Sequence, residues 1–142
     1  FAASRGRGAR INDRRIRVSK QTALAGSLLG TGVPFRDLSL AKRYFPTFEA
    51  MMGKCAGVRR TGSAALDLAY VASGRLDGFW EFGLRPWDIA AGALIIREAG
   101  GMVSDIQGGE DFLKSGDVVA GTPKVFKSLL QVISPAARSS AE

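Results

Sequence analysis

The stretch Arg85-Pro86-Trp87-Asp88-Ile89-Ala90-Ala91-Gly92-Ala93-Leu94-Ile95-Ile96-Arg97-Glu98-Ala99-Gly100-Gly101 constrains this chain more than any other. It reads as a helix with both ends marked. A Pro-bearing loop leads in, and Asp88 stands at an N-cap or first-turn position, where a carboxylate meets unpaired backbone amides. Gly100-Gly101 supplies a left-handed stop. The small residues Ala90, Ala91 and Gly92 let neighbouring elements come close. A carboxylate held this way at the lip of an α/β layer is a hard oxygen donor, which Mg2+ prefers over nitrogen or sulfur. On local sequence alone a plain capping role is the favoured reading.

Strands and helices alternate along the rest of the chain. Residues 1–19 read as two short antiparallel strands around Gly6, Gly8 and the Asn12-Asp13 turn, the second being Arg15-Ile16-Arg17-Val18. A small buried strand follows at Ser27-Leu28-Leu29-Gly30-Thr31-Gly32, ended by Gly32 and Pro34. Residues 37–55 then place Leu40, Tyr44, Phe48, Met51 and Met52 at helical spacing, with Pro46 as a break or second start. Next come a strand at 58–60 and a helix at 63–73, with Leu66, Tyr70 and Val71 inward and Gly74 as its stop. Gly78-Phe79-Trp80 forms a strand that delivers Glu81 to its end. Beyond the Asp88 helix lie strands at Met102-Val103-Ser104 and Val118-Val119-Ala120. Thr122 caps a last helix that starts at Pro123 and turns Val125, Leu129 and Val132 to one side. This order predicts an α/β layer with a partly parallel sheet, one domain over 1–134 and a disordered tail over 135–142. Ligands of such layers gather at the carboxyl ends of strands, the edge to which Glu81 and Asp88 belong.

Composition narrows the chemistry. The 142 residues, 46% apolar, suit a single globular domain. No run approaches the roughly 18 to 20 apolar residues of a membrane span, and no apolar signal-peptide core opens the chain, so a cytoplasmic protein without a membrane partner is expected. Histidine is absent, which argues against zinc hydrolase, Ser-His and Cys-His chemistry within this chain and leaves carboxylates to do any such work. Cys55 stands alone and reads as packing. The net charge of +7 favours anionic partners. Much of it lies in Arg5, Arg7, Arg10, Arg14, Arg15 and Arg17, with Arg59, Arg60 and Arg85 further on. Solvated charge is the ordinary reading of such residues. No aromatic interleaving supports base stacking.

Together with Arg59-Arg60-Thr61-Gly62-Ser63-Ala64-Ala65-Leu66-Asp67 and Glu81, the Trp87-Asp88 motif and its Glu98-Ala99-Gly100-Gly101 ending resemble the C-terminal half of the inositol monophosphatase family. The resemblance runs from Phe1 through Val118-Val119-Ala120-Gly121-Thr122-Pro123. It implies the C-terminal portion of a layered αβαβα sugar-phosphatase fold, a mixed sheet flanked by helices, with the active site in the cleft between two halves. It also implies Mg2+-dependent hydrolysis of a phosphate monoester, foremost inositol 1-phosphate. Nucleotide 3'-phosphatase and fructose bisphosphatase activities are the alternatives on the same fold. The matching Asp of the family is a Mg2+ ligand, which assigns Asp88 that role. The matching Glu meets inositol hydroxyls, which assigns Glu81 to substrate. Gly62, Ser63 and Ala64 follow as substrate contacts, chiefly through backbone, where local sequence shows only a turn and an N-cap. Asp67 reads as a favourable first-turn acid.

The family's other Glu ligand and its Asp-Pro-Leu-Asp-Gly-Thr type metal motif have no counterpart here, so the chain is expected to be part of a longer enzyme and inactive alone. Family members are often homodimers. Some bacterial ones act with Nus factors and RNA polymerase in ribosomal RNA transcription, which offers a docking function as the non-catalytic alternative.

Overall fold

The computed structural model describes residues 1–139, the side chains of 138 and 139 excepted. Three short strands, β1 (Ala2–Ala3), β2 (Ala9–Ile11) and β3 (Arg14–Ile16), form an antiparallel ribbon. Asn12 and Asp13 turn β2 into β3 with φ of 47° and 65°, a left-handed geometry that Asn and Asp tolerate. The ribbon has one strand more than expected, and its last strand ends at Ile16, before Arg17 and Val18. Val18 instead donates its amide to the Ala99 carbonyl.

The main sheet has the order β5-β4-β6-β8-β7, built from β4 (Leu28–Thr31), β5 (Gly57–Arg59), β6 (Gly78–Glu81), β7 (Met102–Ser104) and β8 (Val118–Gly121). Strands β5, β4 and β6 run parallel, whereas β8 pairs antiparallel with both β6 and β7. The sheet is therefore mixed. Its strands β6 and β8 are buried on both faces: Phe79, Val118 and Ala120 pack into one apolar cluster, and Trp80 and Val119 into another.

Helices α2 (Ala64–Ala72) and α3 (Pro86–Glu98) supply the first cluster, and α1 (Leu38–Met51) and α5 (Pro123–Ser139) the second. Between α2 and α3 a Cβ added at Gly92 would come within 2.7 Å of Leu68. The small-residue run thus allows the close approach expected of it. On the other face, Thr31 bonds the Tyr44 hydroxyl at 2.8 Å and donates to the Trp80 carbonyl at 2.9 Å, while the Trp80 indole donates to Thr47.

Several local expectations change. Pro46 lies within α1 without ending it. Met52 is 66% exposed because the helix stops at Met51. In α2 the inward residues are Leu68, Ala69, Val71 and Ala72, with Leu66 turned outward. That helix is apolar nearly all round, so its sequence period does not choose the buried face. A short helix, α4 (Phe112–Ser115), was not anticipated. Helix α5 continues through Pro135 to Ser139, beyond the boundary expected at 134, and buries Ala137. The remainder of the expected tail, 140–142, lies outside the described residues. Among the described residues no helix is long and apolar enough to cross a membrane.

Candidate functional site

The parallel strands β4, β5 and β6 end on one edge of the sheet. Gly32 follows β4, Arg60 and Thr61 follow β5, and Glu81 closes β6. The helices that begin next, α2 and α3, bring Ser63 and Asp88 to the same edge. A cleft of about 330 Å³ there is lined by Gly62, Ser63, Ala64, Ala65, Glu81, Leu84 and Asp88. Every residue singled out from the sequence for metal or substrate meets in this one place.

Asp88 lies in the first turn of α3, three residues after the N-cap Arg85, rather than at the cap itself. Its Oδ2 accepts the Arg85 amide at 3.1 Å. One carboxylate oxygen is thus engaged by backbone, and the other has no partner at hydrogen-bond distance among the described residues. This arrangement fits one position of an oxygen-coordinated Mg2+ and no more. Among the described residues no group of three or more Asp, Glu, His or Cys side chains is arranged to hold a metal.

Glu81 is half-buried, and its carboxyl is pushed up to about 7, first by loss of water, then by the negative charges of Asp67 and Asp88 and against the pull of Arg60. Space for it comes from Gly32, where an added Cβ would fall on the Glu81 carboxylate. The Arg60 guanidinium stacks over the Phe35 ring at 4.7 Å, and both line a second cleft that Glu81 shares, with Arg36 and Asp37.

The start of α2 is more fully committed than its sequence suggested. The Ser63 hydroxyl accepts the Leu66 amide at 3.2 Å as N-cap, and the Ser63 amide itself donates to the Thr61 hydroxyl at 3.3 Å. Ala64 and Ala65 are the remaining first-turn residues, whose amides have no acceptor within the helix. They lie in the cleft wall.

Sequence reasoning missed Asp67, Thr61 and Gly32. Asp67 is only 1% exposed. Its carboxylate accepts the Thr61 hydroxyl at 2.8 Å, and burial raises its pKa against that bond. It lies over β4, where a Cβ on Gly30 would meet its Cγ at 3.4 Å. On this side of the sheet it is Gly32, just past β4, that leaves room for an acid, Glu81, whereas a Cβ on Gly30 would collide first with Leu76 at 2.8 Å and only touch Asp67. The available signal was one acid in the otherwise apolar run Ala64-Ala65-Leu66-Asp67-Leu68-Ala69.

The six early arginines lie elsewhere, and all are exposed. Gly6 and Gly8 donate their amides to the two oxygens of Glu98 at 3.0 and 2.8 Å, which fastens the ribbon to the far end of α3. At 1.5 Å per residue, Asp88 and Glu98 stand about 15 Å apart along that helix.

A mixed sheet between helix pairs, with acids and helix starts on one edge, defines a layered α/β protein. The inositol monophosphatase family model matches residues 1–138, and the chain belongs to that family. It is 57% identical over 137 residues to the Nus factor SuhB of Pseudomonas aeruginosa, covering 95% of this chain and 51% of that protein. The crystal structure of the extragenic suppressor protein suhB from Bartonella henselae superposes with a TM-score of 0.88 at 45% identity, over 92% of this chain and 50% of that one. The inositol monophosphatase from Anabaena superposes at 0.84 with 36% identity, over 93% and 55%. The chain spans about half the length of these relatives.

Proposed function

We propose that this chain forms the substrate side and one metal position of a Mg2+-dependent phosphate monoesterase, with inositol 1-phosphate as the foremost substrate. The observation that carries this reading is the meeting of Asp88, Glu81 and the start of α2 in a single cleft at the carboxyl edge of parallel strands. Membership of the inositol monophosphatase family supports it.

In this reading the free oxygen of Asp88 holds Mg2+, which would supply charge stabilisation for a phosphoryl group. The Arg85 amide fixes the other oxygen and hence the direction of the first. Glu81, close to half-protonated near neutral pH, exchanges hydrogen bonds with a polyol hydroxyl. A substrate lacking that hydroxyl leaves a half-buried acid unpaired and is rejected. The Ala64 and Ala65 amides take a substrate oxygen at the positive end of α2. Further ligands come from the remainder of a longer, cytoplasmic and homodimeric protein.

The test is turnover of the whole protein with Mg2+ on inositol 1-phosphate, fructose 1,6-bisphosphate and a nucleoside 3'-phosphate. Preference for inositol 1-phosphate is expected. Hydrolysis of none of them overturns the reading. A second reading is docking to Nus factors and RNA polymerase: the Pseudomonas relative is itself named a Nus factor, and the arginines at the far end of α3 are exposed. It uses a surface separate from the cleft.

A further inference from the structure

Asp67 touches neither the metal position nor open solvent, yet its buried carboxylate connects the two elements that would meet substrate. Through Oδ1 it grips the Thr61 hydroxyl. That hydroxyl has one proton, and the 2.8 Å bond to Asp67 claims it ahead of the Ser63 carbonyl at 3.4 Å. With its proton directed at Asp67, the Thr61 oxygen presents a lone pair to the Ser63 amide. The relay removes the Ser63 amide from the cleft and pins the turn, so the amides left at the helix start are those of Ala64 and Ala65. The carboxylate also lies over Gly30, two residues before the Gly32 that accommodates Glu81.

We propose that Asp67, acting through Thr61, is the positioning residue of the substrate rim, selecting which α2 amides face a bound phosphate monoester. This rests on the assignment of the cleft as a substrate site. Asp67 is a positioning residue and not a catalytic one, since nothing in its geometry reaches a reacting atom.

Thr61→Val tests it in the whole protein, because the side chain is exposed and the change nearly conserves volume. Loss of one hydrogen bond to a charged acceptor is expected to raise KM for inositol 1-phosphate about tenfold, leaving kcat and the Mg2+ activation curve unchanged. Thr61→Ser restores the hydroxyl and is expected to restore KM. An unchanged KM in Thr61→Val, or a fall in kcat together with altered Mg2+ activation, overturns the proposal. Amide hydrogen exchange at Ser63 reads the relay without turnover: Thr61→Val is expected to speed it about tenfold, and unaltered exchange overturns the relay whatever the activity. A wild-type protein with normal Ser63 protection but no phosphatase activity instead refutes the functional reading beneath it.

Discussion

Glu81→Gln is expected to stabilise the protein at about pH 8 and to do almost nothing at about pH 4. The carboxyl rises from an ordinary 4.5 to about 7 because burial and two neighbouring acids oppose its charge. Below about pH 4 both folded and unfolded chains hold this proton, so the fold bears no penalty. As pH climbs, the unfolded chain ionises first and gains free energy that the folded chain lacks, until the folded group ionises near 7. Above that the penalty is constant, on the order of 3 kcal/mol at 1.36 kcal/mol per tenfold. Part of the side chain meets solvent, so about 1 to 3 kcal/mol is the expected gain of the neutral Gln. Urea unfolding of the whole protein and the variant in metal-free buffer, across pH 4 to 8, measures it. A gain that is equal at both ends, or a variant less stable at pH 8, would refute the assignment of Glu81 as a strained acid.

Two further outcomes follow from the same geometry. Gly32→Ala places a methyl group where the Glu81 carboxylate lies, so it should cost about 1 to 3 kcal/mol and weaken selection among polyol phosphates. Adding Glu81→Ala should recover most of that stability, which a thermodynamic cycle on the double variant checks. Reversing charge at Arg5, Arg7 and Arg10 should leave inositol 1-phosphate hydrolysis nearly intact, because the ribbon is fastened about 15 Å along α3 from Asp88. Any effect should appear as lost, salt-sensitive partner binding. A large fall in turnover with normal partner binding reverses that division.

The placement of Glu81 and Asp88 at one edge was legible because it is written locally, while their roles came from the family resemblance. Trp87-Asp88 and Gly100-Gly101 bracket a helix, and a strand ending in Glu81 delivers an acid to an edge, whatever the rest of the chain does. Asp67 was not legible because a first-turn acid on α2 looks the same whether it faces water or Gly30. It is the packing of Leu68, Val71 and Ala72 into the core, with Leu68 against Gly92, that turns Leu66 out and Asp67 in. Gly32 read as a strand stop, since the side chain that fills its empty Cβ position comes from residue 81. The mixed sheet had the same limit. Alternating strands and helices signal parallel pairing for β4, β5 and β6, but the antiparallel entry of β8 between β6 and β7 depends on the loop through α4.

Asp88→Asn in the whole protein bears most directly on the central claim that this carboxylate holds Mg2+ at the site. Asparagine keeps an oxygen acceptor for the Arg85 amide, so fold and stability should persist, while the anionic oxygen offered to the cation disappears. Turnover on inositol 1-phosphate should fall by roughly a hundredfold or more, about 2.7 kcal/mol of barrier, and half-activation should require more Mg2+. A folded Asp88→Asn protein with wild-type turnover and an unchanged Mg2+ activation curve would contradict the account.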